Sequence, residues 1–105
     1  MRTARIPENS TFSRDAIFFD IDGVRAIPNA VRYRVDCLTT GQAVQEWATV
    51  TPADRVTLVF NQVHNAILGC NDYERRQCVV EATDVNGNTQ IQDFEWEVRN
   101  LQGVE

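Results

Sequence analysis

The chain has no lysine: all ten of its basic residues are arginine. Arginine forks suit fixed, planar pairing with carboxylates at interfaces, but a biased genomic base composition produces the same preference and is the reading favoured here. Histidine occurs once, at His64. No apolar run is long enough to span a bilayer, and the stretch RTARIPENSTFSR after Met1 contains no apolar segment of the kind that directs export. The expectation is a chain made and kept in the cytoplasm, without a membrane partner. Cys37, Cys70 and Cys78 are an odd number of thiols without an export signal, which predicts reduced cysteines and no disulfide. Bases are also outnumbered, ten against fifteen acids, for a net charge of −5. Such a chain repels a phosphate backbone, so no nucleic-acid partner is expected.

What remains is one domain's worth of ordinary globular composition: 105 residues, 43% apolar and 24% charged. From residue 15 onward the apolar residues alternate with period two, as in strands with one buried face. Val31, Tyr33, Val35 and Cys37 share one face of a predicted strand, with Arg32, Arg34 and Asp36 on the other. Val44 to Val50, Val56 to Phe60, and Cys78 to Ala82 follow in the same style. DVNGN then supplies an Asn-Gly pair suited to a tight hairpin with positive φ angles, and Phe94, Trp96 and Val98 carry the returning strand. Ile91 is out of phase with these three, which predicts a bulge around Gln92 and Asp93. No segment has sustained helical periodicity; QVHNAILGC is short and closed by Gly69. The expected fold class is all-β, a sandwich or small barrel, with residues 1–14 as a patternless arm and 101–105 as a tail.

Three motifs suggest chemistry. AIFFDIDGV resembles the opening of haloacid dehalogenase-type phosphatases, in which the first aspartate, here Asp20, would be the nucleophile. That chemistry needs magnesium, further acids and a basic residue on a parallel sheet wrapped by helices, and this chain is too short to supply them. A two-residue turn at Asp22-Gly23 accounts for the same residues: Ile21 would face Val24, Phe19 would face Ala26, and Asp20 would pair with Arg25. DVNGNTQIQDFE places Asp84, Asn86, Asn88 and Glu95 at calcium-loop spacing, but Thr89 stands where that loop requires glycine and the flanks alternate as strands. Cys37 and Cys78 lie in the apolar phase of their strands, Cys70 is the thiol expected to be accessible, and no spacing ties His64 to any of them. Arg75 and Arg76, beside Asp72 and Glu74, read as a solvated edge; Trp47 and Trp96 read as packing aromatics. No catalytic residue, metal or cofactor is therefore assigned, and no enzyme is expected.

The blocks VRYRV, EWATVTP, RVTLVF and EATDVNG, in that order, resemble strands C, C′, E and F of a fibronectin type III or related immunoglobulin-like domain over roughly residues 15–100. The resemblance implies an antiparallel immunoglobulin-like β-sandwich. That family usually carries a tyrosine six residues before the alanine matching Ala82, and here the position is Arg76, while Tyr73 lies three residues early. The blocks YRVDCLTTG, ERRQCVVEATD and FEWEVRNLQG are similar to a group of small tailed-phage proteins encoded among virion genes. This implies a structural or accessory part of a phage particle: a head decoration, connector or tail component assembled in the host cytoplasm.

The functional expectation is a non-enzymatic virion module that binds other virion structural proteins, and itself in a symmetric assembly, through sheet edges, loops and the N-terminal arm. The alternative is an immunoglobulin-like adhesion module for a host surface or glycan; a small hydrolase is third. Ile6, Pro7 and Phe12 of the arm, with Phe18, Arg75 and Arg76, are the candidate contact residues.

Overall fold

Alternation along the chain becomes seven strands in the computed structural model, which describes residues 4–69 and 71–101. They are β1 (Ala4–Pro7), β2 (Phe12–Ile17), β3 (Ala30–Cys37), β4 (Ala43–Val50), β5 (Arg55–Phe60), β6 (Tyr73–Thr83) and β7 (Thr89–Arg99). The fold is all-β, with two sheets arranged as in a β-sandwich. The larger has the order β1-β7-β6-β3-β4 and the smaller pairs β2 with β5. Every pairing is antiparallel except β1 with β7, which run parallel from Ala4↔Trp96 to Pro7↔Arg99.

Period two puts Val31, Val35, Cys78, Val80, Trp96 and Val98 on the inner face of the larger sheet, all buried. Ala16 and Phe18 with Val56, Leu58 and Phe60 meet them from the smaller sheet. Burial of each large apolar side chain contributes about 1.5–3 kcal/mol. The centre is aromatic: the Trp96 ring lies 4.7 Å from Phe60 and 5.2 Å, edge-on, from Phe12. The Trp96 indole N–H donates to Asn65 Oδ1 at 2.8 Å, so the one polar atom of the ring is satisfied inside the core.

Several expectations change. Residues 4–14 are not a patternless arm: Ala4–Pro7 is an edge strand on β7, and Phe12 packs with Phe60 and Trp96. Such a strand leaves little local signal, because its partner lies more than ninety positions along the chain. No bulge occurs near Ile91, since the β6–β7 register runs unbroken from Tyr73↔Arg99 to Thr83↔Thr89. Instead Gln90 and Gln92 hold inward positions in phase with Phe94 and Trp96, while Ile91 points outward and is exposed. The register shifts fall between β3 and β4, at Tyr33/Val35 and Val35/Asp36.

Arg76 is fully buried, against the expectation of a solvated edge. Its Nη1 donates to Glu74 Oε1 at 3.1 Å, its Nε to the His64 carbonyl at 3.0 Å, and its Nη2 to the Ala66 carbonyl. Glu74, also fully buried, accepts from the Leu68 and Gly69 amides at 2.9 and 2.7 Å and from Asn71 Nδ2 at 3.2 Å. Burial alone would raise the Glu74 carboxyl, but those amides, Asn71 and Arg76 outweigh it and hold the group below its usual range. The buried pair thus clamps the β5–β6 connection from inside, with every hydrogen-bonding demand answered locally. Gly69 permits this closeness: a Cβ there would stand 3.0 Å from Asn71 Nδ2, and that side chain would have to give way. Cys37 and Cys78 are buried free thiols, and burial pushes Cys78 up to about 12, so it stays protonated at neutral pH. Cys70 and the tail from residue 102 lie outside the described residues.

Candidate interaction surface

The end of the body opposite that clamp is built from two turns of one design. In the first, the Asp20 amide donates to the Val24 carbonyl at 2.8 Å, the Gly23 amide donates to the Asp20 carbonyl at 3.0 Å, and Gly23 has φ 81°. In the second, the Asp84 amide donates to the Asn88 carbonyl at 2.9 Å, the Gly87 amide to the Asp84 carbonyl at 3.1 Å, and Gly87 has φ 85°. Each is a three-residue loop whose left-handed glycine closes a bulge, a conformation in which other L-residues are strained. The opening aspartate locks it. Asp20 Oδ1 accepts from the amides of Asp22 and Val24 at 2.9 and 3.0 Å, and Asp84 Oδ1 accepts from those of Asn86 and Asn88, both at 2.9 Å. Bonds from the amide and side chain of Asn88 lower the Asp84 carboxyl below its usual value.

This corrects two sequence readings. The turn at Asp22-Gly23 has three residues in its loop, so Phe19 rather than Asp20 stands opposite Arg25, and Arg25 pairs with Asp54 at 3.4 Å. Asn86 does not take a positive φ. The calcium spacing is not assembled either: Glu95 lies on β7 and pairs with Arg75. Among the described residues no group of three or more His, Cys, Asp or Glu side chains is placed to hold a metal ion.

The connection from residue 18 to residue 29 is fastened at several points. The Phe18 amide donates to the Asp54 carbonyl at 2.9 Å, Ala26 to the Phe18 carbonyl at 3.1 Å, and Asn29 to the Thr83 carbonyl at 2.8 Å. Gln90 explains its inward position here: its carboxamide accepts from the Phe19 amide at 3.3 Å and donates to the Phe19 carbonyl at 2.5 Å, copying a strand pairing with a side chain. Gln92 donates likewise to the Ile17 carbonyl at 2.8 Å. The two turns are thereby brought side by side around a hollow of about 380 Å³ lined by Phe19, Asp20, Ile21, Asp84, Asn88 and Gln90.

Aliphatic side chains of the two turns and of the 18–29 connection are exposed: Ile21, which lines the hollow, is 92% exposed, Val85 82%, Ile27 70% and Val24 61%. Apolar side chains are comparably exposed elsewhere, at Val63 and Ile91, but at this end several sit on backbone anchored by hydrogen bonds. The residues nominated from sequence lie elsewhere. Ile6 and Pro7 line a smaller hollow with Arg5, Tyr73 and Arg99, Arg75 lies on the outer sheet face against Glu95, and Phe12, Phe18 and Arg76 are enclosed to different degrees within the body. The signal for the turn end was present in sequence as a repeat, D-I-D-G at 20–23 and D-V-N-G at 84–87. No family, no curated protein and no solved structure matches the chain.

Proposed function

We propose that this chain is a non-enzymatic structural module of a phage particle, an immunoglobulin-like sandwich that docks neighbouring virion proteins with its turn end. The strand order supports the immunoglobulin-like part: β1-β7-β6-β3-β4 faces β2-β5, the first strand runs parallel to the last, and β3, β4, β5 and β6 are the segments that resemble strands C, C′, E and F. The phage part rests on the similarity of YRVDCLTTG, ERRQCVVEATD and FEWEVRNLQG to virion-encoded proteins.

One observation carries the docking role: Ile21 and Val85 stand almost fully in solvent on turns locked by aspartate and glycine. Water opposes that arrangement, and a partner that covers the tips gains about 25 cal/mol per Å² of apolar area without first having to order the loops. The test is to purify particles carrying this chain and compare it with an Ile21→Ser/Val85→Ser variant. The parent chain is expected in particles at a fixed stoichiometry, with the variant lost from them. Equal incorporation of the variant overturns the docking role. Absence of the parent chain from particles, with binding to host-cell surfaces instead, would assign it to adhesion.

A further inference from the structure

The turn end is apolar, but it also gathers three carboxylates that carry no ion pair among the described residues. On the outer faces of the sheets Glu97 pairs with Arg5, Glu81 with Arg32, Asp36 with Arg34, and Asp15 with Arg55, while Asp93 meets Gln77. At the turn end Asp20, Asp22 and Asp84 have no ion-pair partner among the described residues, and Arg25, the one arginine of the 18–29 connection, is engaged by Asp54. Asp20 uses Oδ1 for the two amides of its own turn and its Oδ2 takes no hydrogen bond from the described residues, whereas Asp84 Oδ2 already accepts from Asn88 Nδ2 at 3.1 Å and would share that bond with an incoming donor. Asp20 and Asp84 face the same hollow, with the half-exposed Phe19 ring and Ile21 beside them.

We infer that the partner segment seated at this end presents an arginine to the hollow, flanked by apolar residues that cover Ile21 and Val85. This deepens the docking role proposed above and rests on it. An arginine meets each feature of the site. Its methylene stem packs on apolar surface while its head stays polar. Its planar fork forms charge-assisted bonds with carboxylate oxygens from two sides, and its face stacks on an aromatic ring. The hollow, about 380 Å³, falls at the small end of the roughly 300–1,000 Å³ range of side-chain and ligand pockets. The same unmatched aspartates repel the two other surfaces that exposed aliphatic tips could meet, an anionic membrane and a nucleic acid.

The probe is an acetylated, amidated Leu-Arg-Leu peptide, with its Leu-citrulline-Leu counterpart, which keeps the shape and loses the charge. Each is titrated into the full chain while backbone amide NMR shifts are followed. Shifts are expected at residues 19–24 and 84–90, with the citrulline peptide about fivefold weaker, a difference removed by Asp20→Asn/Asp84→Asn. Asparagine keeps the oxygen that each turn accepts with, so the loops stay folded. Equal affinity of the two peptides at those amides overturns the arginine inference and leaves apolar docking standing. Shifts elsewhere, no shifts, or stronger perturbation of the same amides by anionic vesicles overturn it as well. The docking role itself is judged separately, by particle incorporation of Ile21→Ser/Val85→Ser.

Discussion

Where β5 passes to β6, polar groups are drawn inside: a buried arginine and glutamate answer each other and the loop backbone, the buried Asn65 takes the Trp96 indole N–H, and the buried His64 accepts from the Asn61 amide. At the opposite end apolar groups are held outside, on turns each locked by one carboxylate oxygen of its opening aspartate accepting from two backbone amides. Both ends are ordered by side chain to backbone hydrogen bonds, but at one end these bonds protect a charge from the core and at the other they keep aliphatic tips from folding back onto it. Breaking the clamp by removing one partner would therefore strand a charge in the core, whereas changing a turn tip alters only groups already in water.

The largest expected effect comes from breaking the clamp. Glu74→Leu leaves the Arg76 guanidinium buried without its carboxylate, and should cost about 3–5 kcal/mol in urea unfolding, while Glu74→Leu/Arg76→Met costs less than the single change. A single change under about 1 kcal/mol would mean that the pair contributes little and the two ends are alike. Next come the glycines. Gly23→Ala and Gly87→Ala have open space around the new Cβ but a left-handed φ, so each should cost about 1–2 kcal/mol, and asparagine at the same positions should recover most of it. Gly69 has the opposite problem, contact with Asn71 and Glu74, so asparagine there should be worse than alanine. Thermal melts of the six variants separate a conformational cost from a steric one.

A smaller effect is expected from acid. His64 is buried, its Nδ1 accepts from the Asn61 amide at 3.1 Å, and its Nε2 lies 2.5 Å from Gln45 Oε1, an arrangement suited to the neutral ring. Burial lowers its pKa below the usual 6.5, so as pH falls the unfolded chain takes up the proton first. Stability should be whole above about pH 6.5 and decline below it, and His64→Gln should flatten the decline in melts between pH 7 and pH 5. The smallest effect belongs to the tips: Ile21→Ser and Val85→Ser should change unfolding free energy by less than about 0.5 kcal/mol, because those side chains are already in water.

Much of this was legible along the chain where the signal was local. Val31, Val35 and Cys37, or Val56, Leu58 and Phe60, alternate because one sheet face is buried, and the strands follow. What was not legible depended on distant partners. Arg76 beside Arg75 looks solvated until Glu74, His64 and Ala66 are folded around it. Gln90 and Gln92 interrupt an apolar phase and so imitate a bulge, whereas their carboxamides are answering the backbone of Phe19 and Ile17. The two D-x-[DN]-G turns were visible separately, each as an imitation of a different catalytic or metal site, and only the fold makes them neighbours.

Gln90 has one more consequence. Gln90 holds Phe19 to β7, Phe19 bridges Arg25, and the Ala26 amide donates to Phe18, so between Val24 and Asn29, where the chain rejoins the body at Thr83, Ile27 and Pro28 lie outside the backbone pairing. Residues inserted there displace no strand partner and add only the slow logarithmic entropy of a longer closed loop. That connection is the natural graft point of the scaffold, a place where foreign sequence can be displayed while the seven strands keep their pairing.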